Sequence, residues 1–107
     1  MNDDFDAVYE ASFQLIGFAG DSKAESMAAI ECAKAGDFEA AAEHLAAADK
    51  TMVEAHECQT EMLRQEAQGN PVAVNIILVH AQDHLTMAQV ARDMADQMIA
   101  LYKEIRK

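Results

Sequence analysis

The chain has 107 residues, enough for one domain with one hydrophobic core and too few for two. Half of the residues (51%) are apolar, only 6% are aromatic and proline occurs once, a composition that favours close-packed helices over strands. The formal net charge is −11, from 8 basic and 19 acidic residues, so no basic face is available for nucleic acid or an anionic membrane. We therefore expect one all-helical domain over 1–107 that binds neither.

The sequence also indicates a cellular compartment. No stretch resembles a signal peptide or approaches the roughly 20 apolar residues that span a bilayer. Two cysteines, Cys32 and Cys58, are too few for a disulfide framework and are expected as reduced, partly buried thiols. These features predict a soluble protein of the cytoplasm.

Two glycine-containing segments divide the chain. The predicted helical segments are about 3–35, 37–68 and 71–106. Gly36 can take the left-handed conformation that ends a helix, and Asp37 can cap the next one. Gly69 repeats the stop signal, Asn70 is the predicted cap, and Pro71 is the predicted first residue of the third helix, where a missing N–H is harmless. Connections this short force antiparallel neighbours, which predicts an all-α, up-down-up three-helix bundle.

The first segment contains a candidate interruption. Gly17 and Gly20 precede Asp21 and Ser22, a place where a helix can bend or restart with a new cap. We expect a kink there.

The second and third segments each carry apolar residues at spacings of three and four, which is typical of a helix face that packs in a core. The stripe in the second segment is Phe38, Ala41, Leu45, Ala48, Met52 and Ala55. The stripe in the third is Val74, Leu78, Ala81, Leu85, Ala88, Ala95, Ile99 and Tyr102. Both stripes are predicted to be buried.

A second stripe on the third segment lies about 160° from the first on the helical wheel. Its members are Ile76, His80, Asp83, Met87, Val90, Met94 and Leu101. A three-helix bundle of this size covers only the first stripe, so we expect copies of the same chain to cover the second. The pattern thus predicts self-association.

Asp83 places a carboxylate on this second stripe, which contains no lysine or arginine to pair with it. In a homotrimer with its axis along the third helix, three Asp83 carboxylates would converge and repel unless a cation lay between them. Oxygen ligands suit magnesium or calcium better than zinc. The alternative is that the interface on this stripe packs incompletely, so that the Asp83 carboxylate at its edge reaches solvent.

His80 and His84 are four residues apart, on adjacent turns of one helix face. A neutral imidazole is a nucleophile near neutral pH, and its bond to phosphorus stays reactive enough to pass a phosphoryl group on. His84 and Gln82 are candidates for steadying the phosphoryl oxygens. The spacing alone leaves three other interpretations open. The two residues can be ordinary helix histidines in a non-catalytic oligomer, or His80, Asp83 and His84 can form a metal-dependent hydrolase. A zinc enzyme is the third interpretation, although the segment lacks the third ligand and the glutamate base that such an enzyme needs.

Four blocks between about Ile16 and Lys107 form a recognisable pattern. They are Ile16-Gly17-Phe18-Ala19-Gly20-Asp21, Gly36-Asp37-Phe38, Glu54-Ala55-His56-Glu57-Cys58-Gln59-Thr60-Glu61-Met62-Leu63 and, the most specific, Val79-His80-Ala81-Gln82-Asp83-His84-Leu85. Through them the chain resembles the IIA component of the lactose/cellobiose family of the phosphoenolpyruvate-dependent sugar phosphotransferase system. One departure is Thr86, since family members often continue His-Leu-Met, but Met87 still lies on the second stripe.

The resemblance implies a homotrimer in which His80 accepts a phosphoryl group from the phosphocarrier protein HPr and donates it to a cysteine of the sugar-specific IIB component. It also implies that Asp83 binds a metal on the threefold axis, with Mg²⁺ as the expected ion. A IIA component does not touch the sugar, so a β-linked disaccharide of the cellobiose, chitobiose or lactose type is expected without a choice among them. Because His80 lies one turn from Asp83, we expect the active site at a subunit boundary.

Overall fold

A computed structural model describes residues 3–107, with side chains from residue 6 onward. Its helices are α1 (Asp3–Lys34), α2 (Phe38–Ala67) and α3 (Ile76–Ile105), and residues 3–107 contain no strand. The bundle is elongated, with extents of 57 × 23 × 18 Å, and α1 packs along both α2 and α3. The predicted three-helix bundle is confirmed.

The turn between α1 and α2 forms as the local sequence predicts. Gly36 has a φ of 87°, and its N–H donates to the Ala33 carbonyl at 3.0 Å. The N–H of Asp37 donates to the Cys32 carbonyl at 2.9 Å, which completes a Schellman motif at the end of α1. The Asp37 carboxylate then accepts from the Ala40 N–H at 3.1 Å and caps α2.

The end of α2 uses the same device. Gly69 has a φ of 86° and donates to the Glu66 carbonyl at 3.2 Å, so its predicted role is confirmed. Asn70, predicted as the cap of α3, instead completes α2: its N–H donates to the Gln65 carbonyl at 2.8 Å. Its side-chain amide donates to Gln65 Oε1 at 3.3 Å. Both groups are thereby directed back to α2, which leaves the cap of α3 to a later residue.

The start of α3 differs from the prediction. The helix begins at Ile76 and not at Pro71, which lies in the connection. Asn75 is the cap: its backbone is extended (φ −149°, ψ 170°) and its Oδ1 accepts from the Leu78 N–H at 2.9 Å. Val74, predicted on the buried stripe, precedes the helix and is 76% exposed.

The core lies along α1 as two clusters. One contains Leu15, Ala19, Met52, Ala55, Ala81, Leu85 and Ala88. The other contains Ala29, Ala33, Ala41 and Ile99. Alanine is the commonest residue in both, so the helices approach closely. The predicted stripes are confirmed as buried at Ala41, Ala48, Met52 and Ala55 of α2 and at Leu78, Ala81, Leu85, Ala88, Ala95 and Ile99 of α3.

Of the two possibilities for residues 17–22, a bend or a restart, the restart does not occur. The helix runs without a break from Asp3 to Lys34, and Ser22 is fully buried within it. Its hydroxyl donates to the Ala48 carbonyl of α2 at 2.8 Å. A buried hydroxyl needs a partner, and here the partner lies on another helix, so Ser22 joins two helices and caps none. A bend without a break stays a prediction.

The second stripe of α3 lies outside this core. Its apolar members are between 45% and 77% exposed: Ile76, Met87, Val90, Met94 and Leu101. The prediction that the bundle covers only the first stripe is confirmed. An apolar helix face of this length is usually covered, and the described residues of one chain do not cover it.

Candidate functional site

The two histidines of α3 form a bonded pair. Nε2 of His80 and Nε2 of His84 are 3.0 Å apart, and the ring centroids are 4.4 Å apart with the planes at 90°. One nitrogen donates and the other accepts, according to the tautomers. His80 is exposed and His84 is half-buried, so the inner ring holds the outer one at the surface.

The helix backbone that carries the two histidines is anchored in the core. Ala81 and Leu85, the residues next to His80 and His84, are buried in the core cluster with Leu15 of α1. The helical spacing of four then brings the two rings together on the side that faces away from the core. The backbone beneath the site is therefore fixed by packing, while the outer imidazole stays accessible.

His80 lies on an exposed face of α3, apart from three hollows of the described residues. Three hollows of about 300, 580 and 150 Å³ lie at the end of the bundle near the connection between α2 and α3, and His80 lines none of these three. Small-molecule sites are usually concave and bury most of the ligand. An exposed nucleophile on a helix face is better suited to a reaction with another macromolecule.

Asp83 lies on the exposed stripe, one turn from His80. Among the side chains of residues 6–107 of one chain, no three His, Cys, Asp or Glu groups come together as a metal site. A metal-dependent hydrolase would need His80, Asp83 and His84 to converge on one ion. The described side chains of one chain do not form such a ligand cluster. A metal at Asp83 requires oxygen ligands from outside the subunit.

Gln82 points away from His80. Its Oε1 accepts a hydrogen bond from Gln59 Nε2 of α2 at 2.6 Å, and its own Nε2 lies 3.9 Å from the sulfur of Met62. Two residues along a helix correspond to a rotation of about 200°, so His80 lies at one edge of the exposed stripe and Gln82 lies beyond its other edge. Of the two residues predicted to steady the phosphoryl group, the structure brings His84 to His80 of the same chain and directs Gln82 to α2.

The polar contacts between α2 and α3 were not anticipated from the sequence. Besides Gln59 with Gln82, His56 Nε2 lies 3.2 Å from Gln89 Oε1. Arg92 donates to Asp49 through Nε at 2.6 Å and Nη2 at 3.1 Å. On each helix the partners recur at spacings of seven and three, a pattern that marks the sides of α2 and α3 that face each other without fixing which residues pair.

The Arg92 ion pair is the strongest of these polar contacts. Its two parallel hydrogen bonds to Asp49 raise the pKa of the guanidinium, and the carboxylates of Asp93 and Asp96, each 3.8 Å away, raise it further. The pair keeps α2 and α3 in register near the middle of the bundle.

The remaining reactive side chains lie elsewhere. His44 Nδ1 lies 2.6 Å from Glu25 Oε2 and connects α2 to α1. Cys32 and Cys58 are free and partly buried, as predicted. Burial raises the pKa of the Cys58 thiol, and the carboxylates of Glu57 and Glu54 raise it further, so this thiol is a poor nucleophile near neutral pH.

The fold and the site define a small three-helix-bundle protein that offers a histidine on an open helix face. The family model of the PTS system, Lactose/Cellobiose specific IIA subunit, matches residues 10–103, and the chain belongs to this family. It is thus a component of a sugar phosphotransferase system.

Relatives support this assignment. The chain is 38% identical over 91 residues to the PTS system lactose-specific EIIA component of Streptococcus mutans, a match that covers 85% of this chain and 88% of that protein. It is also 38% identical over 105 residues to the lichenan-specific phosphotransferase enzyme IIA component of Bacillus subtilis, covering 98% and 93%.

Solved structures agree with the fold. The crystal structure of the PTS cellobiose-specific enzyme IIA from Bacillus anthracis superposes with a TM-score of 0.92 at 34% identity, covering 99% of this chain and 94% of that chain. The IIA(chitobiose) protein of Escherichia coli, solved in complex with HPr, superposes with a TM-score of 0.81 at 31% identity, covering 94% and 97%. In the part of the chain that the structure describes, no helix is both long and apolar enough to cross a membrane.

Proposed function

We propose that the protein is a cytoplasmic phosphocarrier whose His80 receives a phosphoryl group from phospho-HPr and passes it to a cysteine of a IIB component. The observation that carries the proposal is the exposed imidazole of His80, held at Nε2 by His84 on a rigid helix. In the first transfer a bond forms from phosphorus to a ring nitrogen of His80 as the bond to the donor breaks. In the second, a bond forms to the cysteine sulfur and the nitrogen bond breaks, so the imidazole is regenerated.

His84 is proposed to steady the phosphoryl group. In the free protein its Nε2 is bonded to the ring of His80. Once a ring nitrogen of His80 carries phosphorus, an N–H of His84 on the adjacent turn can donate to a phosphoryl oxygen. The same contact fixes the orientation of the His80 ring before the transfer, which is a positioning role.

The exposed stripe of α3 is proposed to be the axis of a homotrimer. It is apolar at Ile76, Met87, Val90, Met94 and Leu101, and none of the residues that the structure describes covers it. Three copies would bury it and bring three Asp83 carboxylates together. Mg²⁺ is the proposed ion between them, because carboxylate oxygens are the ligands it prefers and the stripe contains no lysine or arginine.

A cyclic trimer would also explain the position of Gln82. In such an assembly one side of the α3 stripe in each subunit meets the other side of the α3 stripe in the next subunit. His80 lies on one side and Gln82 on the other, at nearly the same height on α3. The Gln82 of one subunit would therefore lie beside the His80 of the next, and the active site would be shared between subunits.

The sugar is set by other components. The relatives are named for lactose, lichenan, cellobiose and chitobiose, which share a β-linkage. We propose that the system takes up and phosphorylates a β-linked disaccharide of the cellobiose, chitobiose or lactose type. The protein would act in that uptake without binding the sugar.

The test is phosphorylation of the purified protein with radiolabelled phosphoenolpyruvate, enzyme I and HPr. The parent should take up acid-labile, base-stable label, the signature of phosphohistidine, and His80→Gln should take up none. His44→Gln is the matched control, since His44 lies on α2 and is paired with Glu25, and it should label like the parent. Equal labelling of His80→Gln would refute the assignment, and a parent that never labels would favour a non-catalytic oligomer.

The trimer and its metal need a separate measurement. Sedimentation of the parent should give three times the chain mass, and metal analysis should give one divalent ion per three chains. Asp83→Leu should remove the ion while changing the stability of the trimer, because three buried carboxylates are replaced by apolar groups. A parent that sediments as a monomer, or a variant that retains its metal, would remove Asp83 from this role.

A further inference from the structure

The hydrogen bond between Gln59 and Gln82 leaves one side of the Gln82 amide unused. Gln59 Nε2 donates to Gln82 Oε1 at 2.6 Å, which occupies the acceptor of Gln82. The donor of Gln82, its Nε2, has only the Met62 sulfur at 3.9 Å as a described partner. A thioether is a weak acceptor, so the amide can exchange this contact for a stronger one.

The bond also decides which end of the amide faces outward. A carboxamide can present either its oxygen or its NH₂ after a half-turn about its last torsion. The Gln59 donor requires an oxygen opposite it, and the Met62 sulfur requires an N–H opposite it. Together they hold Gln82 with its NH₂ directed away from Gln59.

This NH₂ is accessible. Gln82 lines a hollow of about 150 Å³ with Met62, Leu63, Val74 and Leu78, so its amide is not sealed in the core. A phosphoryl group carries only acceptor oxygens, so an outward NH₂ can bind it and an outward oxygen would repel it.

We propose that Gln59 is a positioning residue for phosphoryl transfer: it holds the Gln82 amide so that its N–H donates to the phosphoryl group on His80 of the neighbouring subunit. The inference rests on the proposed function and on the cyclic trimer. Gln59 never touches the phosphoryl group. It acts from α2 through one hydrogen bond to α3, and the subunit that contributes it differs from the one that carries the phosphohistidine.

The test compares two substitutions in the full-length protein. Gln59→Glu replaces the donor by a carboxylate, which accepts from the Gln82 N–H and turns the amide oxygen outward. Gln59→Leu removes the anchor and lets the amide sample both orientations. Loss of one hydrogen bond to a charged group predicts a fall of about tenfold in the transfer rate from phospho-HPr for Gln59→Glu and a smaller fall for Gln59→Leu. The lifetime of the phosphohistidine and its ³¹P chemical shift should change in the same order.

Two controls distinguish a positioning role of Gln59 from a purely structural role. Gln89→Leu removes the next hydrogen bond between α2 and α3, to His56, and should leave the transfer rate unchanged. In a Gln82→Leu background, Gln59→Glu should have no further effect, because Gln59 acts only through Gln82. Unfolding midpoint and sedimentation are measured for each variant so that a loss of the fold is recognised.

Different results would refute the role of Gln59 and the proposed function. The proposal is overturned if Gln59→Glu transfers like the parent, if Gln59→Glu is no worse than Gln59→Leu, or if the effect of Gln59→Glu persists without Gln82. A parent that labels on His80 while the Gln59 variants behave normally refutes only this inference. A parent that does not label on His80 refutes the proposed function itself.

Discussion

Replacing Gly36 by alanine should destabilise the chain more than the same change at Gly69. Both glycines have nearly the same backbone, with φ of 87° and 86°, so alanine incurs the same left-handed strain at either site. At Gly69 a new Cβ meets nothing within 4 Å. At Gly36 it would lie 2.7 Å from Nη1 and 2.8 Å from Cζ of Arg106. The two substitutions therefore differ by one contact.

The size of the difference follows from what Arg106 does. Its Nη2 donates to the Lys34 carbonyl at 3.0 Å and so satisfies an open carbonyl at the end of α1. The side chain is long enough to move away from a new Cβ, but it then loses that bond. Left-handed strain of about 1–2 kcal/mol applies to both variants, and the lost hydrogen bond adds about 0.5–1.5 kcal/mol at Gly36 alone.

The measurement is urea unfolding followed by circular dichroism at one fixed protein concentration, because self-association makes stability depend on concentration. In an Arg106→Ala background the gap between Gly36→Ala and Gly69→Ala should close. Equal destabilisation in the parent background, or a gap that survives the loss of Arg106, would refute the reasoning.

Three further outcomes are expected. Gly20→Ala should raise the free energy of unfolding by about 0.5–1 kcal/mol in urea titrations, because a Cβ there meets nothing and alanine favours the helix; a loss of stability would contradict this. Leu85→Ala should lower it by about 2–4 kcal/mol, since most other residues of its core cluster are alanines, whose short side chains cannot fill the cavity. A change below about 1 kcal/mol would argue against that packing. Iodoacetamide should alkylate Cys58 slowly at pH 8 and faster as the pH rises through its raised pKa, with 6 M urea removing the delay; folded and unfolded chains reacting alike would contradict the burial.

Much of the candidate site could be predicted because its signals are local. A spacing of four brings His80 and His84 onto one helix face whatever the rest of the chain does. Gly36 and Asp37 form their turn through backbone hydrogen bonds within a few residues. The two stripes of α3 follow from the helical period alone, and the structure buries the first and exposes the second.

Local signals do not fix the start of α3, because two asparagines near it are equally suitable as its N-cap. Asn70 and Asn75 can each cap a helix, and the sequence contains no reason to prefer the second. The choice depends on Asn70 completing the end of α2, where its N–H bonds to Gln65. Pro71 therefore lies in the connection, and α3 begins five residues later at Ile76.

The three helices, the turn at Gly36 and the histidine pair can be predicted from the sequence, because each depends on contacts within one or two turns of helix. The roles of Ser22 and Gln82 depend instead on contacts between helices. Ser22 bonds to Ala48 and Gln82 to Gln59, and these partners are 26 and 23 positions away along the chain. The direction of a side-chain hydrogen bond between helices depends on how the helices pack, and helical periodicity carries no information about that register.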